Sequence, residues 1–111
     1  MNYLSALIVC KVSGTPIKIS ELRHIQKNGK ELEPFLRAIV ELNKGGVKYD
    51  RKKLSDYYLN GGNVENISHG LVIARKVGQF LSLSEAIDTD KKGLDFIEYF
   101  ENKLKTGHNK L

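Results

Sequence analysis

The residues with the most chemical promise are Asp88-Thr89-Asp90-Lys91-Lys92-Gly93-Leu94-Asp95-Phe96-Ile97-Glu98. They follow the outline of a calcium-binding EF-hand loop, with acids first and third, glycine sixth and a late glutamate. Calcium wants roughly six to eight oxygen ligands, and here Lys92 puts a positive charge where the third oxygen belongs. The stretch from Gly93 to Glu98 is also one residue short, which displaces the bidentate ligand. The stretch therefore reads as a polar turn, Asp88 to Gly93, between capped helices. Gly61-Gly62-Asn63 ahead of a helix could cradle an anion on unsatisfied N–H groups. No phosphate-loop Lys-Ser/Thr follows, so it reads as a tight turn. His24, His69 and His108 share no metal-ligand spacing, and His69 beside Gly70 reads as a surface or interface residue. Cys10, the single cysteine, sits in an apolar stretch that should raise its pKa and leave it inert. Leu7-Ile8-Val9-Cys10 has the outline of a lipoprotein acylation site, against which stand the valine before the cysteine and the very short leader. No serine or carboxylate pair stands in a catalytic pattern. The expectation is a non-enzymatic protein without metal or cofactor.

Charge is the other candidate for function. Residues 1–53 carry a net charge of +6 and residues 54–111 a net of −1. A basic half suits an anionic membrane surface, an acidic partner or nucleic acid, and equally a solvated lysine-rich face. Its densest run is the basic patch Arg51-Lys52-Lys53. With Arg75-Lys76 and the glycine turn between helices, it supports an alternative reading as a small basic nucleic-acid-binding protein. The interleaved Tyr57 and Tyr58 read as core.

The elements that position these residues repeat. Ile17-Lys18-Ile19-Ser20, Val47-Lys48-Tyr49-Asp50 and Leu81-Ser82-Leu83-Ser84 each run an apolar-x-apolar piece into a capping residue. Their starts lie 30 and 34 residues apart, a spacing that signals a repeat architecture. Each begins a short helix, a turn and a longer amphipathic helix that stops at Gly45-Gly46, Gly78 or Gly107. Ser20, Asp50 and Ser84 are the predicted caps of the short helices, and Asn63 caps the second long helix. Pro34 fits a first helical turn, where N–H groups have no intrahelical partner. Leu32, Phe35, Leu36, Ile39, Val40 and Leu42 form one buried face by their 3.6-residue spacing. Val64, Ile67, Leu71, Ala74 and Val77 form the second face, and Leu94, Ile97, Phe100 and Leu104 the third. Thr106 to Leu111 is expected to fray. Gly70, Ala74 and Gly78 recur every four positions, a stripe that lets another helix approach closely, within the fold or from a second copy.

Composition agrees with one domain. The chain has 111 residues, 41% hydrophobic and 28% charged, with two prolines and no tryptophan. One cysteine excludes an internal disulfide. Met1 to Val12 is the most apolar segment, too short for a bilayer span of about 20 residues and lacking a signal-peptide pattern. It is expected to dock on the fold or touch a membrane surface. The predicted fold is all-α: about six helices in three stacked hairpins over 17–46, 47–80 and 81–107, a short solenoid-like bundle.

One stretch carries a family signature. Leu54-Ser55-Asp56-Tyr57-Tyr58-Leu59-Asn60-Gly61-Gly62-Asn63-Val64 resembles the bacterial flotillin-like family, membrane scaffold proteins of the sigma-W regulon. That family shows a tyrosine-leucine followed by Ala-Gly-Gly-Asn-Val, and here Asn60 replaces the alanine. Leu4-Ser5-Ala6, Ile17-Lys18-Ile19-Ser20, Ala38-Ile39-Val40 to Gly45-Gly46-Val47, Ile87-Asp88 and Gly93-Leu94-Asp95 resemble further pieces in the same order, in the region after the family's membrane anchor. The resemblance implies a cytoplasmic scaffold at the inner face of the membrane. Such a scaffold self-associates or binds protein partners, and is linked to envelope stress and resistance to membrane-active antimicrobials. The family's anchor and its C-terminal oligomerisation region are longer than anything here, so the chain is expected to be a piece of a longer protein or a short relative. The family has no catalytic residues to carry over.

Overall fold

A computed structural model describes residues 2–109, with side chains for residues 2–102. The side chains of Leu104 and His108, and residues Lys110 and Leu111 of the expected tail, lie outside the described residues. The described chain is all-helical: α1 (Tyr3–Val12), α2 (Ile19–Lys27), α3 (Glu33–Lys44), α4 (Arg51–Leu59), α5 (Val64–Lys76), α6 (Leu83–Lys91) and α7 (Phe96–Asn109). The count exceeds six because the apolar N-terminal segment is itself a helix. Asn2 caps it, accepting from the Ser5 N–H at 2.8 Å.

The structure sharpens the repeat to an even 32 residues. Left-handed glycines end the long helices at Gly14, Gly46 and Gly78 and the short ones at Gly29, Gly61 and Gly93. An L side chain at such a φ would be strained, so glycine is the residue that closes these turns. Each turn is closed by the N–H five residues after a helical carbonyl. Thr15, Val47 and Gln79 donate to Cys10, Leu42 and Ala74, at 2.8, 3.0 and 2.8 Å. Lys30, Gly62 and Leu94 donate to Ile25, Tyr57 and Thr89, at 3.2, 2.9 and 3.2 Å.

With the turns fixed, the next helix must start at a fixed distance. The short-helix caps are Lys18, Asp50 and Ser82. Asp50 is the cap expected, but Ser20 and Ser84 lie inside the first turns. At Lys18 the cap works in reverse, because the Glu21 carboxylate accepts from the Lys18 N–H at 3.1 Å. At Ser82 the hydroxyl accepts from the Glu85 N–H at 3.1 Å. The uneven spacing of 30 and 34 reflects the apolar pairs, whereas the caps themselves are evenly spaced.

The protein measures 52 × 27 × 17 Å. α3 and α5 make the largest helix pair, α6 packs on α5, and α1 lies against α2 and α3. Of the expected buried face of α3, Leu32, Phe35, Leu36, Ile39 and Leu42 are 2% exposed or less, while Val40 is half-buried. Two other faces shift. Val77 is 55% exposed because α5 ends at Lys76. In α7, Phe96 and Phe100 point inward while Leu94 and Ile97 are 44% and 59% exposed. The 32-residue register accounts for this, since Phe96 takes the position of the buried Leu32 and Val64. The last helix also continues past Gly107 to Asn109.

Candidate interaction surface

The EF-hand-like residues begin on a helix rather than in a loop. Asp88, Thr89 and Asp90 belong to the last turns of α6, so the expected polar turn starts later, at Lys92. Asp88 pairs with Lys92 at 3.1 Å, one helical turn on. Asp90 binds its own chain instead of an ion. Its carboxylate accepts from the Tyr57 hydroxyl, from Asn66 Nδ2 at 2.8 Å and, more weakly, from the Asn63 N–H at 3.4 Å.

That carboxylate organises the Gly-Gly-Asn turn. Gly61 has φ +91°, and a Cβ on Gly62 would lie 2.3 Å from the Tyr57 ring. Asn63 caps α5 by accepting from the Asn66 N–H at 3.1 Å. The three signature residues thus serve the architecture, Gly61 by making the turn, Gly62 by clearing the ring and Asn63 by capping the helix. Burial and the neighbouring Asp90 carboxylate, which favours a protonated phenol, push Tyr57 up to about 12. Tyr58 is core, 8% exposed, stacked on Phe35 at 6.0 Å with its hydroxyl donating to the Glu31 carbonyl at 2.6 Å.

The small-residue stripe divides. Gly70 is buried under the Phe96 ring, where a Cβ would come within 2.7 Å of it. Ala74 is 2% exposed. Gly78 lies beyond the helix end in an open left-handed turn. The basic patch divides as well. Arg51 donates to the Pro16 carbonyl and lies 3.5 Å from Glu21, joining the second repeat to the first. Lys53 donates to the Ser84 hydroxyl, joining the second to the third. Lys52 is exposed.

Cys10 is 2% exposed, and burial pushes its thiol up. His69 lines a groove of about 570 Å³ between α3 and α5, while His24 lies in the last turn of α2 with its carbonyl accepting from Asn28 Nδ2. Glu41 of the same groove accepts from the hydroxyl of Ser68, 1% exposed, at 3.0 Å.

Two surface features go beyond the sequence expectations. One is the outer row of α1: Leu4, Ile8 and Val12 are 66%, 53% and 84% exposed. Their four-residue spacing opposite Ala6 and Cys10 is the signal that marks them. In the repeat register Leu4 corresponds to Leu36 and Ser68, and Ile8 to Val40 and Val72. Of those later positions, Leu36 is 2% and Val72 8% exposed, and Val40 is half-buried. The other feature is the edge built from the turns after α1, α3 and α5. Its signal is the 32-residue alignment itself.

Comparison with known proteins agrees with the signature. The chain is 35% identical over 94 residues to the flotillin-like protein FloA of Parabacteroides distasonis, covering 82% of this chain and 28% of that protein. The FloA protein of Bacteroides thetaiotaomicron is 34% identical over 89 residues, covering 79% of this chain and 27% of its own length. That of Dictyoglomus turgidum is 27% identical over 97 residues, 86% of this chain and 28% of the relative. The chain thus spans just over a quarter of the curated relatives it matches. No family profile and no solved structure matches it. Among the described residues, no helix is long and apolar enough to cross a membrane.

Proposed function

Because the chain belongs, over the residues matched, to the bacterial flotillin-like family, we propose that it acts as a non-enzymatic scaffold module at the inner face of the membrane. It associates with a second copy of itself through the outer face of α1. The observation that carries this is the difference between Leu4 and Leu36: the same repeat position is 66% exposed in one and 2% in the other. An exposed apolar row of this kind marks a contact surface, and α1 presents leucine and isoleucine there. Gly70 and Ala74 are used inside the fold, so the contact with a second copy moves from the small-residue stripe to α1. The link to envelope stress and antimicrobial resistance belongs to the same proposal and is supported by the family resemblance alone.

Sedimentation equilibrium tests the association. The protein should form a concentration-dependent oligomer that Leu4→Lys with Ile8→Lys reduces to monomer while the helical circular dichroism signal is kept. A wild-type monomer at the highest soluble concentration ends this reading.

A further inference from the structure

The three turns that follow α1, α3 and α5 form one edge of the protein. Asn43 Nδ2 donates to the Gly14 carbonyl at 3.2 Å, tying the second turn to the first. The Arg75 guanidinium lies against Gly46, where a Cβ would be 3.2 Å from its Nε. Lys48, Arg75 and Phe80 line one depression between the second and third turns. Along this edge stand Lys11, Lys44, Lys48, Arg75 and Lys76, all exposed. Among them stand Val12, Val77 and Phe80, exposed at 84%, 55% and 79%. Of the acids near this edge, Asp50 caps α4 by accepting from the Lys53 N–H at 3.2 Å, and Glu41, which shares a groove with Lys44 and Lys76, accepts from the Ser68 hydroxyl at 3.0 Å.

We propose that this edge docks on an anionic lipid surface, with Val77 and Phe80 entering the headgroup region and the five cations lying at phosphate depth. The proposal rests on the membrane-scaffold reading and adds to it the surface and the lipid charge. Cations alone would suit nucleic acid equally. Large, mostly exposed apolar side chains among lysines fit an interface with an apolar interior, and they have no counterpart in a phosphate backbone. Lysines in the last helical turns also complement the helix dipole, but Lys48 lies in a connection and Val77 and Phe80 lie beyond the end of α5, so the dipole explains none of these.

The test is co-sedimentation of the full chain with phosphatidylcholine vesicles, with and without phosphatidylglycerol, at low and high salt. Binding should require phosphatidylglycerol and weaken with salt. Lys44→Gln with Lys48→Gln should lower the partition constant on the order of twentyfold. Val77→Ser with Phe80→Ser should lower it about tenfold or more. Lys27→Gln with Lys92→Gln removes the same charge outside this edge and should lower it far less. Equal losses in the two lysine pairs, with no loss on replacing Val77 and Phe80, would overturn the edge while leaving membrane association standing. Retardation of duplex DNA that depends on Lys44 and Lys48 but not on Phe80 would reassign the edge to nucleic acid. No wild-type binding to anionic vesicles would remove both this proposal and the membrane part of the scaffold reading.

Discussion

The Tyr57 hydroxyl donates its hydrogen bond to the Asp90 carboxylate, 33 residues further along the chain. One side chain in the last turn of α6 thereby fixes a ring in α4, and that ring lies over Gly62 at the entrance to α5. The signature turn is held from outside by the following repeat.

Removing that carboxylate leaves three donors without their acceptor. Asp90→Ala should cost about 2–3 kcal/mol, and Asp90→Asn, which keeps an acceptor, about 1 kcal/mol. Urea unfolding followed by circular dichroism measures both. Equal stability of the two variants would show that charge rather than acceptance matters.

Tyr57 should titrate apart from an ordinary tyrosine, near 12 by absorbance of the phenolate. Its folded pKa lies above the unfolded value of about 10, so the neutral phenol is the form that the fold favours. The stability it contributes is complete below pH about 10 and is lost as pH rises from there through about 12. Asp90→Asn should bring the Tyr57 titration down toward 10.

Gly70→Ala sets two effects against each other. Alanine gains about 1 kcal/mol of helix propensity over glycine. Its Cβ would meet the Phe96 ring at 2.7 Å, and overpacking a core typically costs about 1–3 kcal/mol. The net effect should be a loss of stability. Gly70→Ala combined with Phe96→Leu should cost less than the sum of the two single changes, read from a double-mutant cycle.

Leu4→Lys and Leu36→Lys change the same position of two repeats. The first, measured at a concentration where wild type is monomeric, should leave unfolding by urea within about 0.5 kcal/mol of wild type. The second buries an unpaired ammonium and should prevent folding or cost about 3 kcal/mol or more. Comparable losses at both positions would mean that α1 is covered in solution even in the monomer.

The period of the architecture is legible because capping residues and glycines punctuate it, and punctuation is local chemistry. The register is less legible. Ser20 and Ser84 look like caps because serine competes well for that place, yet the preceding turn determines where the helix begins. Most of the inward faces of α3 and α5 can be read from spacing alone, Val77 beyond the end of α5 being the exception there, whereas α7 is offset because Leu94 and Phe96 are both plausible starts. Phe96 wins through Gly70, 26 residues earlier, and no local pattern reports that contact. Asp90 stands out in the sequence for the wrong reason, since two acids separated by one residue suggest an ion until its three donors are seen. The apolar outer face of α1 and the lysine-rich turn edge are assembled from residues 32 apart, so a window one helix long cannot show them.

An even 32-residue period also bears on how the chain comes apart. Each unit touches its immediate neighbours, so stability is distributed as in a short one-dimensional lattice. Amide exchange should then be slowest in α3 and α5, the most extensively packed pair, and quicken through α1 and α7 without global unfolding. Contacts that span little more than one period also mean low contact order, and with it folding on the fast side for a chain of this size.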